Sequence, residues 1–264
     1  MPQAWVGAVM QIAQLLSPNF GDRSLPHHAI GPAYLMIHTS GMRGPEQVLA
    51  RLTDPRPDDP DKAVSAHYFI EQCGKITQLV DEEKKAWHAG RGCWRGETDM
   101  NSASIGIELD YRYDGDHYPD FPDAQLGSLV ALCGDIQGRW KISAENVIGH
   151  SDYAPGRKAD PGHKFPWRDM ARKNIGVWPG PSPIAREVPT ISESQLDLAL
   201  IGYSCPVTGE MDQQSRDVVD AFQLRFLPDE RGQGLTPSTA HRIAAVRRCM
   251  NMLNSVRLPH QQLG

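Results

Sequence analysis

Residues 149–162 read GHSDYAPGRKADPG. This stretch holds a histidine (His150), a lysine (Lys158) and an aspartate (Asp160) among three glycines and two prolines. Proline lacks the backbone donor and glycine favours open conformations, so the segment is excluded from helix and strand interiors. It reads as a loop that carries chemistry. A neutral imidazole and a carboxylate are both good zinc ligands, and catalytic zinc sites take three protein ligands with the fourth position left to water. The loop supplies two, so the third is sought elsewhere. Upstream, Tyr34–His38 (YLMIH) is a short apolar run ending on a histidine and followed by Thr39, Ser40 and Gly41. A run of this length bounded by turn residues predicts a buried strand, with His38 at its end.

Five stretches together resemble the zinc-dependent N-acetylmuramoyl-L-alanine amidases of the type-2 amidase family, which also includes a phage lysozyme and the peptidoglycan recognition proteins. They are MIHTSG (36–41), SAHYFI (65–70), AWHAGRGCWRG (86–96), NSASIGIELD (101–110) and the GHSDYAPGRKADPG loop, spread over roughly residues 15–175. One departure is Thr39, where relatives usually carry tyrosine after the first zinc histidine. The resemblance implies an α/β catalytic domain, a mixed central β-sheet flanked by helices, with one zinc held by His38, His150 and Asp160. It further implies Glu108 as the general base, Lys158 as the cation facing the oxyanion, and a substrate groove bordered by Trp87, His88 and Asn101. The implied substrate is the amide between N-acetylmuramic acid and L-alanine, in peptidoglycan or in anhydromuropeptides. Some relatives are receptors that bind peptidoglycan without cleaving it, but these lack a complete zinc set, whereas this chain keeps all three ligands with Glu108 and Lys158. A zinc peptidase of the HExxH kind is excluded by the missing motif.

Composition bounds the alternatives. The 264-residue chain has a net charge of -5, which gives no basic face for nucleic acid. No run approaches the roughly 18 apolar residues of a membrane span. The N-terminus, MPQAWVGAVMQIAQLL, lacks lysine and arginine and makes a poor signal peptide. Five scattered cysteines without a CxxC pair suit free thiols in a reducing compartment. A monomer in the cytoplasm is expected, with periplasm or cell envelope as the alternative; Cys133 falls on an apolar helical face and reads as core.

Along the chain, a short helix is expected to about Leu16, followed by a loop whose His27 and His28 read as solvated. Pro45 and Glu46 open a helix with Val48, Leu49 and Leu52 on one face. Ala66 to Ile70 and Lys75 to Val80 read as paired strands around Gly74, with His67 hydrogen-bonded near the sheet. Ser104 to Asp110 alternates, placing Ile105, Ile107 and Leu109 on one face and Glu108 on the other. Pattern alone favours a solvated Glu108, and the family resemblance reverses that. Asp123 to Trp140 is a helix with Asp123 as N-cap, Asn146 to His150 a short strand, and 165–174 a closing helix. Arg157 reads as a structural ion-pair partner.

Residues 176–190 (GVWPGPSPIAREVPT) hold four prolines and no periodicity, which is linker composition. Three short helices are expected beyond it: one with a Ser192–Gln195 capping box, one after Asp212, one opening at Thr236-Pro237. The chain thus divides into a catalytic domain (1–178), a Pro-rich linker (179–190) and a small all-α three-helix domain (191–264) that resembles a peptidoglycan-binding domain. A linker of this composition is a semi-rigid spacer, which predicts that the catalytic part folds and hydrolyses alone.

Overall fold

A computed structural model describes residues 10–26, 29–55, 63–112, 118–181 and 187–257. His27 and His28 lie outside the described residues. At its centre, β3 (Tyr34–Thr39) runs parallel to β7 (Ser104–Leu109) on one side and to β8 (Val147–Gly149) on the other. β4 (Tyr68–Ile70) adds parallel to β7, β5 (Ile76–Gln78) adds antiparallel to β4, and β1 (Ile12–Gln14) closes the edge parallel to β5. The order β1-β5-β4-β7-β3-β8 is a mixed six-stranded sheet, and β2 (Phe20–Asp22) and β6 (Lys84–Ala86) form a separate antiparallel pair.

Leu35, Met36 and Ile37 are fully buried because β3 is covered on both faces, as interior parallel strands are. Leu35, Ile37, Ile105, Ile107 and Leu109 share a cluster with Leu129, Leu132, Cys133 and Ile136 of α3 (Asp123–Trp140). One sheet face is thereby closed by a helix whose apolar residues recur at helical spacing. Alternation sends Met36, His38, Gly106 and Glu108 to the opposite face. The hairpin around Gly74 forms as expected, with that glycine at φ 89°. α1 (Pro45–Thr53) packs Val48 and Leu52 onto Phe69 and Leu79.

Several expectations need correction. Where a helix was expected up to Leu16, Ile12–Gln14 is an edge strand: main-chain pairing with Ile76–Gln78 outweighs a weak local pattern. Asp123 is the first helical residue rather than the cap, since Pro122 holds the cap position without a side-chain bond. In α6 (Ile191–Ile201) the capping box is Thr190 with Glu193, two residues earlier than read. Gln195 is instead buried, bonding Thr208, the Glu210 carbonyl and Ser215.

The largest difference concerns the C-terminal helices, α6, α7 (Gln213–Phe226) and α8 (Pro237–Arg257). They do not stand apart. Met36, Trp94, Met100, Ile148 and Tyr153 form one cluster with Leu198, Tyr203, Val218, Phe222 and Ile243. Val177 joins the same cluster, and the Trp178 ring lies 5.6 Å from Phe226. Trp94 and Tyr203 also pair as a β-bridge, and the Arg95 N–H donates to the Gly202 carbonyl at 2.8 Å. Proline-rich composition reads alike whether a connection is a spacer or is pinned by aromatic contacts on either side.

Candidate metal centre

Parallel pairing sets His38 of β3 beside Glu108 of β7, both on the sheet face opposite α3. β8 runs along the other side of β3 and passes directly into α4 (His150–Tyr153), so His150 is the first residue after the strand. The loop then returns, and the Ser151 N–H donates to the Asp160 carbonyl at 2.9 Å. Three ligands separated by 122 residues of chain thus converge at the ends of two adjacent strands.

His38 Nδ1, His150 Nδ1 and Asp160 Oδ2 stand 3.0, 3.1 and 3.1 Å apart. Tautomers follow from the outer ring nitrogens. His150 Nε2 lies 2.8 Å from the Ala89 carbonyl, which only accepts, so Nε2 carries the proton and Nδ1 is bare. His38 Nε2 lies 2.9 Å from His88 Nδ1. The Ser104 hydroxyl donates to the Met100 carbonyl at 2.6 Å, leaving its oxygen to accept from His88 Nε2 at 3.4 Å. His88 Nδ1 therefore accepts from His38 Nε2–H, and His38 Nδ1 is bare as well. Two imidazole lone pairs and a carboxylate in contact repel unless a cation lies between them, and donors at about this spacing are what a tetrahedral ion with bonds of ~2.0–2.2 Å requires. The residues fit a metal ion, and this is the cluster among the described residues that can hold one.

Burial, reinforced by His150, lowers the His38 pKa to about 4 against the pull of Asp160, so its ring is neutral at pH 7. Burial and the Asp160 carboxylate push Glu108 up to about 8, and the Lys158 ammonium opposes them. Lys158 is exposed on the loop rim, its N–H anchored on the Ala154 carbonyl at 3.0 Å. Arg157 corrects the expectation of an ion pair. Its guanidinium donates to the carbonyls of Arg91 and Ala89, so it braces the carbonyl that fixes His150. Carbonyls without charge leave no trace in a sequence pattern.

Of the groove residues, Asn101 Oδ1 accepts the N–H groups of His88 and Ala89, holding that loop. Trp87 is partly buried, with its indole nitrogen 3.9 Å from where a side chain on Gly21 would begin. His88 has a setting other than the expected one: both its ring nitrogens are committed inside the protein, to His38 and Ser104, and neither is left for a substrate. His67 is buried, accepting from the Gly106 N–H and facing the Lys84 carbonyl, away from the ligand triangle. Ser104 and Gly106 carry no signal of a site in the sequence pattern, since a serine and a glycine in an apolar strand read as spacing between its larger residues. A Cβ on Gly106 would lie 2.6 Å from the His88 ring, so the glycine makes the room that this ring occupies. The five cysteines are free thiols, and no described helix is long and apolar enough to cross a membrane.

Residues 29–163 match the family described as N-acetylmuramoyl-L-alanine amidase. N-acetylmuramoyl-L-alanine amidase AmiD of Escherichia coli is 40% identical over 188 residues, 64% of this chain and 68% of its own. Its complex with anhydro-N-acetylmuramic acid-L-Ala-D-gamma-Glu-L-Lys superimposes with a TM-score of 0.71 at 32% identity, covering 87% of this chain and 97% of that one. AmpDH3 of Pseudomonas aeruginosa, in complex with anhydromuramic pentapeptide, gives a TM-score of 0.75 at 29% identity over 86% of this chain and 95% of its own. The 1,6-anhydro-N-acetylmuramyl-L-alanine amidase AmpD of Haemophilus influenzae is 34% identical over 178 residues, 61% of this chain but 91% of its own. With the strand-end triangle of donors and these likenesses in sequence and fold, the chain belongs to the N-acetylmuramoyl-L-alanine amidase family.

Proposed function

We propose that the protein is a zinc hydrolase that cleaves the amide between the lactyl group of anhydro-N-acetylmuramic acid and L-alanine in soluble muropeptides, during cell-wall turnover. The observation that carries this reading is the triangle of His38 Nδ1, His150 Nδ1 and Asp160 Oδ2, three bare donors in contact. The choice of anhydromuropeptide over intact sacculus is supported by the ligands seen with AmiD and AmpDH3. A zinc ion held there supplies a polarised amide carbonyl and a water whose pKa falls from about 15.7 to about 7.

The chain's own residues perform the rest. Glu108, beside His38 on the same face, takes the proton of the attacking water and returns it to the departing L-alanine nitrogen. Burial raises the Glu108 carboxyl in the metal-free protein; a cation held at the triangle would pull it back down with Lys158, towards a carboxylate that can accept the water proton and then return it. Lys158 faces the negative charge that develops on the carbonyl oxygen. His88 keeps the His38 lone pair aimed at the ion, and the Ala89 carbonyl does so for His150. Trp87 and Asn101 border the groove. Helices α6, α7 and α8 serve as a peptidoglycan-binding-like part packed on the catalytic residues, with residues 1–178 catalytic and 179–190 joining the two. The free thiols favour a reducing cytoplasm, and the protein acts as a monomer.

The test incubates purified protein with anhydromuramoyl tripeptide and identifies products by mass, alongside elemental analysis. About one equivalent of zinc, release of the free peptide and loss of activity on chelation are expected. Full turnover by metal-free protein would overturn the mechanism.

A further inference from the structure

Asp152, two residues after His150, is fully buried. Its Oδ2 accepts the Gly149 N–H at 2.9 Å, closing the junction between β8 and α4 from which His150 projects. The remaining donors to this carboxylate come from far along the chain. Arg225 Nη1 on α7 reaches Oδ2 at 2.5 Å, and the Tyr203 hydroxyl after α6 reaches Oδ1 at 2.6 Å. Arg225 Nη2 also donates to the Val147 carbonyl of β8 at 3.3 Å, and its guanidinium lies 3.9 Å over the Trp167 ring. Trp167 in turn closes on Gly149, where a Cβ would lie 3.3 Å from the indole. One arginine therefore grips the strand end, the turn carboxylate and the ring that covers them.

We propose that Arg225 is a positioning residue for His150, acting through Asp152, so that the C-terminal helices complete the metal centre as well as packing beside it. The inference rests on the zinc reading above. The physical reason is the state of Asp152 without its partner: an ion pair buried on both sides is costly to break from one side, because the remaining charge has neither water nor a counter-ion. The turn relieves this only by moving Asp152 outward, and the Gly149–Asp152 bond carries His150 with it. The tolerance of the ligand triangle is small, since a tetrahedral site accepts its donors within a few tenths of an ångström. Shorter family members such as AmpD of Haemophilus influenzae match over 61% of this chain.

The experiment uses the full-length protein. Zinc affinity is measured by competition with a chromophoric chelator, and the geometry of the site by the visible absorption of the cobalt-substituted form. Arg225→Met is expected to weaken zinc on the order of ten- to a hundredfold and to change the cobalt spectrum. Arg225→Lys should recover part of the loss, and the double variant Asp152→Asn with Arg225→Met should recover more, having no stranded charge. Ile243→Ala, in the same shared core but away from Asp152, should lower Tm while leaving zinc affinity and the cobalt spectrum unchanged. If Arg225→Met behaves as Ile243→Ala does, the pair is a staple between helices and the proposal fails. Should Arg225→Met not fold, Tyr203→Phe removes one donor from the same carboxylate and should weaken zinc severalfold; unchanged affinity there overturns the proposal equally. Wild-type protein that takes up no zinc overturns the zinc reading, and this inference with it.

Discussion

Two residues set the chemistry of the centre from opposite directions. Glu108 is raised to about 8 by burial and Asp160, so the folded protein holds that proton more tightly than the unfolded chain, whose value is near 4.5. Its contribution to stability is then fully present below about 4.5 and lost as pH rises through about 8. Bound zinc adds to the pull of Lys158 and moves the midpoint down. A carboxyl carbon resonance that titrates near 8 in metal-free protein and lower in the zinc form is expected. A midpoint that zinc leaves in place would separate Glu108 from the metal. Glu108→Gln and Lys158→Met should each keep zinc and lose turnover by on the order of a hundredfold or more, since both act on the transition state. Zinc content near one equivalent with normal kcat in Glu108→Gln would put the general base elsewhere.

At the scale of elements, the centre depends on a strand having no side chain at one place. A methyl on Gly106 of β7 would stand 2.6 Å from His88, and the ring must leave His38 to admit it. Gly106→Ala is therefore expected to weaken zinc binding about as much as His88→Ala, roughly tenfold or more. A chelator titration decides it, and wild-type affinity in Gly106→Ala would mean that the sheet gives way instead. The start of α6 offers a second test. Thr190→Ala should cost about 1 kcal/mol in denaturant unfolding, and Ser192→Ala much less, because Thr190 holds the cap. What the sequence made legible divides along this line. His150, Lys158 and Asp160 announce themselves by side-chain chemistry in a stretch rich in glycine and proline, and His38 by ending an apolar run; the stretch reads as loop throughout, whereas its first residues end β8 and form the single turn of α4. His88 was legible as a functional histidine but not as a partner of His38, because that contact crosses from a loop to a strand through the space above Gly106. β1 and β2 were illegible because, unlike the equally short β4, β5 and β8, they carry no apolar run bounded by turn residues: IAQ and FGD are mostly exposed, and the partners that make them strands are distant in sequence.

At the scale of the whole molecule, the question is whether residues 191–257 form a unit with its own stability. Linker composition between 176 and 190 argues that they do. Packing argues otherwise, since Leu198, Tyr203, Val218 and Phe222 are buried against Trp94, Met100, Ile148 and Tyr153, and Asp152 has its counter-charge on α7. Helices of 11, 14 and 21 residues that share so much apolar surface with a neighbour leave little core of their own, and small domains are marginal even with all of theirs. Unfolding is then expected as one cooperative step. The chain provides its own pair of probes: all six tryptophans fall at or before residue 178, so their fluorescence reports the catalytic part and, through Trp94, Trp167 and Trp178, its seam with the helices, whereas far-ultraviolet circular dichroism draws heavily on α6, α7 and α8. The two signals should give coincident midpoints in both heat and denaturant. A loss of circular dichroism that precedes the main fluorescence transition, giving two separate midpoints, would show helices melting off an intact catalytic part, and would restore the picture of two bodies joined by a spacer.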